Sequence, residues 1–200
     1  MKRKSFLFSI LFIVSIFILY IFNCISIQTS LADKVLRLHI LANSNSIFDQ
    51  ELKLEVRDKV VEFLSPKLKN SRNLYETKQI ISENLYEIKK LTKEITSKKS
   101  NYNVAVSLEK SNFPTKHYES ISFPAGNYEA LKIIIGEGKG NNWWCVMFPP
   151  LCFTNSSAGC FSEESTKTLK ENLSKEEYTF INSDKPSVKI KFRLLELWNS

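Results

Sequence analysis

The sequence predicts an α+β fold: a mainly antiparallel sheet with two long helices packed on one face, behind an N-terminal signal or anchor helix. Three observations carry that expectation. Residues 6–22 are apolar apart from Ser9 and Ser15. Residues 46–97 hold two stretches with apolar side chains at helical spacing, and residues 102–148 alternate apolar and polar side chains between turn residues.

The N-terminal segment sets the compartment. Lys2, Arg3 and Lys4 precede the apolar run Phe6–Phe22, and no acidic residue lies before Asp33. A basic start followed by an apolar run is an export signal, and the charge bias keeps the N-terminus in the cytoplasm. The run is long for a signal core and sits at the lower limit for a membrane span. Ser30-Leu31-Ala32 places small residues before a cut between Ala32 and Asp33, so a cleaved signal and a retained anchor both fit. Residues 1–32 are thus read as signal peptide or anchor, and residues 33–200 as a single domain of ordinary size. Either way the domain lies outside the cytoplasm, and the only membrane contact expected is through the N-terminal segment.

The remaining elements follow in order. Val35–Ala42 alternates as a strand, with Leu36, Leu38 and Ile40 on one side and Arg37 and His39 on the other. Ser46 with Asp49 three residues on starts a helix that runs to about Leu64. Its apolar stripe is Leu52, Val56, Val60, Phe63 and Leu64, with Asp49, Lys53 and Arg57 in a charged row read as solvated. Pro66 ends it or sits in a broken extension. A second helix spans about Ser71–Ser97 on the face Ile81, Leu85, Ile88, Leu91 and Ile95. Tyr102–Leu108, Tyr118–Phe123, Tyr128–Ile135 and Trp143–Phe148 read as strands, Ser162–Asn172 as a short helix, and Val188–Trp198 as a last strand. The glycines of 136–140 are expected to allow a tight hairpin with positive φ.

Composition excludes some chemistry. The formal charge of +7 falls to +4 without the three N-terminal cations, and only five of the 28 basic residues are Arg. An exported, Arg-poor domain is a poor match for nucleic acid. Gly138-Lys139 lacks the other residues of a phosphate loop, and no G-x-G-x-x-G fits. Two histidines and three cysteines beyond position 33 lack metal-ligand spacing, so neither metal nor any other cofactor is expected. A nucleophilic Cys145 with His39 or His117 as base is the one catalytic alternative: an exported cysteine-dependent hydrolase acting on peptide or cell-wall bonds. Against it, Cys145 and Cys152 are spaced for a disulfide around Pro149-Pro150, worth about 2.5 kcal/mol in the chain-entropy model. The other reading of the two thiols is that both pack as small apolar groups. No catalytic residue is assigned.

Two groups of residues are candidates for binding a partner. Glu137, Lys139, Asn141, Asn142, Trp143 and Trp144 combine a glycine loop with adjacent tryptophans, which on a strand face opposite sides. Arg37, His39, Asn43, Asp49, Lys53 and Arg57 form a second patch. The alternative for that patch is a buried polar network that holds the first helix on the sheet.

The stretch GEGKGNNWWCVMFPPLCF, residues 136–153, resembles the signature of the stage II sporulation protein R family. RLHILANSNSIFDQELKLEVRDKVVEFL, residues 37–64, and FPTKHYESISFPAGNYEALKIIIG, residues 113–136, resemble it too. The resemblance implies a non-enzymatic developmental signal of endospore-forming bacteria. Such a protein is exported from the forespore into the space between it and the mother cell, or stays anchored on the outer face of the forespore membrane. There it triggers a membrane-embedded aspartic protease that removes the pro-sequence of the sigma factor E precursor. The family brings no catalytic residues.

Overall fold

The computed structural model describes residues 2–118, 121–152 and 163–182. Helix α1 is Lys2–Ala32 and strand β1 is Leu36–Leu41. Three helices follow: α2 (Ile47–Leu68), α3 (Leu74–Glu83) and α4 (Leu85–Ser97). Then come β2 (Val104–Phe113), β3 (Lys116–Tyr118), β4 (Ile121–Phe123), β5 (Gly126–Ile135), β6 (Asn142–Phe148), α5 (Glu163–Asn172) and α6 (Lys175–Ile181).

The main sheet has the order β2-β5-β1-β6. It is mixed: β1 runs parallel to β5, whereas β1–β6 and β2–β5 are antiparallel. The parallel pair forms because β1 enters the centre of the sheet before the helices and the later strands are laid on both sides of it. β3 and β4 pair as a separate two-stranded antiparallel sheet, so the region read as one strand, 118–123, holds the last residue of β3 and all of β4. The expected strand 188–198, and Cys160 with it, lies outside the described residues.

One sheet face is apolar throughout. Leu36, Leu38 and Ile40 of β1, Leu131, Ile133 and Ile135 of β5, and Met147 and Phe148 of β6 are buried against Leu52, Val56, Val60 and Leu64 of α2 and Ile88 and Ile95 of α4. Burying side chains of this size stabilises the fold by about 1.5–3 kcal/mol each. The α2 stripe is as its period predicts, and Ser46 caps it by accepting from the Asp49 amide at 3.1 Å. Pro66 sits inside α2, which reaches Leu68. The second helix is not one rod. It breaks at Asn84, whose amide and side chain both turn back onto the Ile80 carbonyl oxygen and close α3. The apolar period runs straight across the break through Ile81, Leu85 and Ile88, so spacing alone does not reveal it.

The opposite face is covered over half its length. The β3–β4 hairpin, α5, α6 and the end of α1 gather Phe113, Ile121, Phe123, Tyr128, Ala130, Val146, Leu169 and Ile181 into a second core with Leu31, Ala32 and Val35. Arg37 and His39 point into this side, as the alternation of β1 requires, and both are buried. The sheet thus has two unlike ends. At one, α1 enters; at the other, β1 leaves into residues 42–46.

Candidate functional site

The end of the sheet remote from α1 is built from two loops, 42–46 and 136–141. The expectation of a tight hairpin at 136–140 is corrected here. β5 and β6 are not neighbours, because β1 lies between them. The loop between them must therefore cross over the end of β1, and it does so backbone against backbone. The Lys139 amide donates to the Asn43 carbonyl at 3.2 Å and the Gly140 amide to the Ala42 carbonyl at 2.9 Å. A side chain at position 140 would overlap the Ser44 carbonyl oxygen, and one at 136 would overlap the Asn43 side chain. Gly136 and Gly138 have φ near +63° and +64°, a region that L side chains rarely adopt.

Asn43 is the hub of this clasp. Its Oδ1 accepts from the Glu137 amide at 3.0 Å, while its Nδ2 donates to Asp49 Oδ2 at 3.0 Å. Ser44 Oγ donates to the same carboxylate oxygen, and the Asn141 amide donates to Asn45 Oδ1 at 2.6 Å. Lys53 Nζ reaches the Asn141 carbonyl at 2.9 Å and Gln50 Oε1 at 2.6 Å. Burial opposes the Asp49 carboxylate, but the bonds from Ser44 and Asn43 outweigh it and hold the group below the usual carboxylate range. Burial pushes the Lys53 ammonium down, with Arg57 acting in the same direction. Asp49 and Lys53 are buried, so the row read as solvated turns inward at these two residues to fix α2 on the loops.

The second patch is consequently two places. Asn43, Asp49 and Lys53 belong to the clasp. Arg57 is half-buried with its guanidinium 4.2 Å from the Trp143 ring, on the α2 side. Arg37 and His39 lie across the sheet. The Arg37 guanidinium stands 4.3 Å from the Phe113 ring, 4.9 Å from Tyr128 and 5.5 Å from Phe123. Its Nη2 donates to Tyr118 Oη at 2.9 Å, which donates on to the Trp144 carbonyl at 3.1 Å. No carboxylate pairs with it among the described residues. Cation–π contacts of about 0.5–2 kcal/mol each offset part of that desolvation. His39 stacks on Trp144 with centroids 3.7 Å apart, and burial pushes its imidazole down to about 4.

Trp143 and Trp144 do face opposite sides: the first packs on the α2–α4 core, the second on the Arg37 side, and each is half-buried. Glu137 and Lys139 are exposed and paired at 2.7 Å, and Asn141 and Asn142 are exposed. Cys145 and Cys152 are joined by a disulfide with Cα atoms 5.9 Å apart. A sulfur held in a disulfide is not a thiolate nucleophile, and His39 sits on the other face of the sheet from Cys145. His117 is occupied with Ser122 Oγ at 2.6 Å in the exposed hairpin. The geometry therefore gives the hydrolase alternative nothing to work with at these residues. Among the described residues no group of three His, Cys, Asp or Glu side chains converges as a metal site.

Sequence reasoning passed over Ile47 and Phe48. They open α2 beside the clasp and are 80% and 44% exposed. The available signal was their position directly after the Ser46 cap, ahead of the first stripe residue Leu52.

The two loops that meet in the clasp come from two of the three blocks that carry the family resemblance. The family model for stage II sporulation protein R matches residues 32–158. The chain belongs to the stage II sporulation protein R family. Stage II sporulation protein R of Bacillus subtilis (strain 168) is 42% identical over 128 residues, which cover 64% of this chain and 57% of that protein. The match thus spans little more than half the length of that curated relative. No solved structure matches. The family match begins at the last residue of α1 and includes the clasp, the Arg37 cage and the disulfide. A role in sporulation follows from membership, and the apolar α1 fits a signal or anchor segment.

Proposed function

We propose that this protein is an exported signal of sporulation that activates a membrane-embedded aspartic protease, which then processes the precursor of sigma factor E. The space between forespore and mother cell is its place of action. The observation that carries the reading is the construction of the clasp. Most of its buried polar atoms are spent on each other, Asp49 Oδ1 excepted, while Ile47, Phe48, Glu137, Lys139, Asn142, Trp143 and Trp144 are left wholly or partly open around it. A rigid end that displays apolar and charged side chains suits recognition of a protein, and aromatic anchors flanked by polar groups dominate such contacts.

Activation by a ligand requires that it bind the active protease better than the inactive one. A differential of about 2–3 kcal/mol raises the active fraction roughly 30- to 150-fold while that state remains scarce. The Trp143→Ala, Trp144→Ala and Ile47→Ser variants, with Lys139→Ala beside them, test the reading in sporulating cells. Precursor cleavage should fall although export and folding persist, as followed by immunoblot of the precursor and of the exported protein. Undiminished cleavage in all four would refute this surface.

A further inference from the structure

The last turns of α1 are part of the folded domain. The stretch Phe6–Ala32 is 27 residues long and apolar enough to cross a membrane, and none of its most apolar window is buried in the protein. About 20 residues at 1.5 Å each cross the hydrocarbon layer, so the helix outlasts it by one to two turns. Those turns enter the second core. Leu31 is 0% exposed and Ala32 7%, packed with Val35, Ile121, Ala130 and Ile181 among others. Polar contacts lock the same turns. Gln28 Nε2 donates to the Ala125 carbonyl, and Ser30 Oγ donates to Glu177 Oε1 at 2.7 Å. Lys34 Nζ reaches Glu177 Oε2 at 2.8 Å, so one nearly buried carboxylate holds both sides of the Ala32–Asp33 bond. Glu177 is itself fixed by a capping box with Ser174 at the start of α6. Burial works against that carboxylate, but the bonds from Lys34 and Ser30 outweigh it and keep it ionised below the usual range.

We propose that α1 stays on the protein as a permanent membrane anchor and that its last turns seat the domain against the bilayer, with the clasp at the far end of the sheet. A peptidase must draw the residues before its cut out of the helix into an extended strand. Here Ser30, Leu31 and Ala32 are helical, and the last two are buried. Only three residues separate α1 from β1, so no flexible linker intervenes. Six residues of β1, at about 3.3 Å each, carry the chain some 20 Å to the clasp. A signal held this way acts across a narrow gap between membranes and does not diffuse away.

The test uses the full chain in a spore-forming host, with the N-terminus of the recovered protein sequenced and its membrane retention measured after alkaline extraction. The wild type is expected to be full length and membrane-bound; a soluble species beginning at Asp33 overturns the proposal. Leu31→Asp alters neither Ser30 nor Ala32 but places a carboxylate in the apolar pocket. It should raise the truncated fraction by at least about tenfold. Glu177→Gln leaves every residue near the bond unchanged and should raise that fraction less, in the same direction. If both variants remain as intact as the wild type, docking is not what protects the bond, and the proposal fails.

Discussion

The two ends of the central sheet are closed by opposite means. At the clasp, backbone amides and side-chain oxygens of 42–53 and 136–141 satisfy one another, and glycine is needed where two backbones touch. At the other end, Leu31, Val35, Ile121, Tyr128 and Ile181 close the sheet chiefly by packing, with the Ser30 and Lys34 bonds to Glu177 at its margin. Hydrogen bonds depend on direction and packing chiefly on volume, so the first end should tolerate fewer substitutions than the second. That contrast implies that the rigidity of the clasp is separable from what its rim displays.

The largest expected effect is at Gly140. Gly140→Ala forces a methyl group onto the Ser44 carbonyl oxygen, a backbone atom that cannot step aside. The loss should be at least about 3 kcal/mol, read as a lowered midpoint in urea unfolding. At the other end Leu31→Ala removes a fully buried side chain and should cost about 2–4 kcal/mol. Leu31→Met should cost under about 1.5 kcal/mol, because packing accepts a change of shape at similar volume. Should Gly140→Ala prove milder than Leu31→Met, the contrast between the two ends breaks.

Asn43→Ala comes next. It orphans the Glu137 amide and takes one of the donors from Asp49, for an expected cost of about 2–3 kcal/mol. Asn43→Asp keeps the volume and the acceptor but sets a second carboxylate against Asp49. If only the volume of the residue mattered, Asp would be harmless; the direction of its bonds predicts that it destabilises nearly as much as Ala.

The sequence was most legible where a single period or a single cap decides the outcome. The alternation of β1, the stripe of α2 and the opposite facings of Trp143 and Trp144 all follow from local geometry. What was illegible depends on contacts between distant segments. Nothing local tells that β1 will lie between β5 and β6, and that one fact converts a hairpin loop into a crossover and explains the glycines. Nor does a lone Arg37 on a strand reveal that three aromatic rings from β2, β4 and β5 will enclose it. Glu177 is an intermediate case. The Ser174-x-x-Glu177 spacing is a capping box open to inspection, but its bonds to Ser30 and Lys34 span more than 140 residues.

His39 gives a smaller effect that separates the covered face from the clasp. Its imidazole is pushed down to about 4, so the folded state resists a proton that the unfolded chain accepts from about 6.5 downward. The unfolded state therefore binds more protons between those values, and stability rises with pH across the window and levels off above it. The carboxylates of Asp49, Glu109 and Glu177, all held low, lose their contribution only nearer their own titration range, so pH 5–6.5 isolates the histidine. His39→Gln should flatten that part of the profile in chemical unfolding and leave the acid limb in place. A slope that survives the substitution would mean that the stack on Trp144 is not its source.

The smallest effect expected on stability is at the rim. Glu137 and Lys139 form an ion pair in open solvent, and nothing in the clasp bonds to their side chains among the described residues. The amides of both residues carry the structural bonds, and an alanine keeps its amide. Exposed pairs of this kind contribute little to folding. Glu137→Ala and Lys139→Ala should therefore unfold at the wild-type denaturant midpoint, in contrast to Asn43→Ala, at the residue that bonds both of their amides. Any loss of signalling in these variants then belongs to the displayed side chains and not to the frame beneath them. A lowered midpoint would show instead that rim and frame are one unit, and the division between what holds the clasp and what it presents would have to be redrawn.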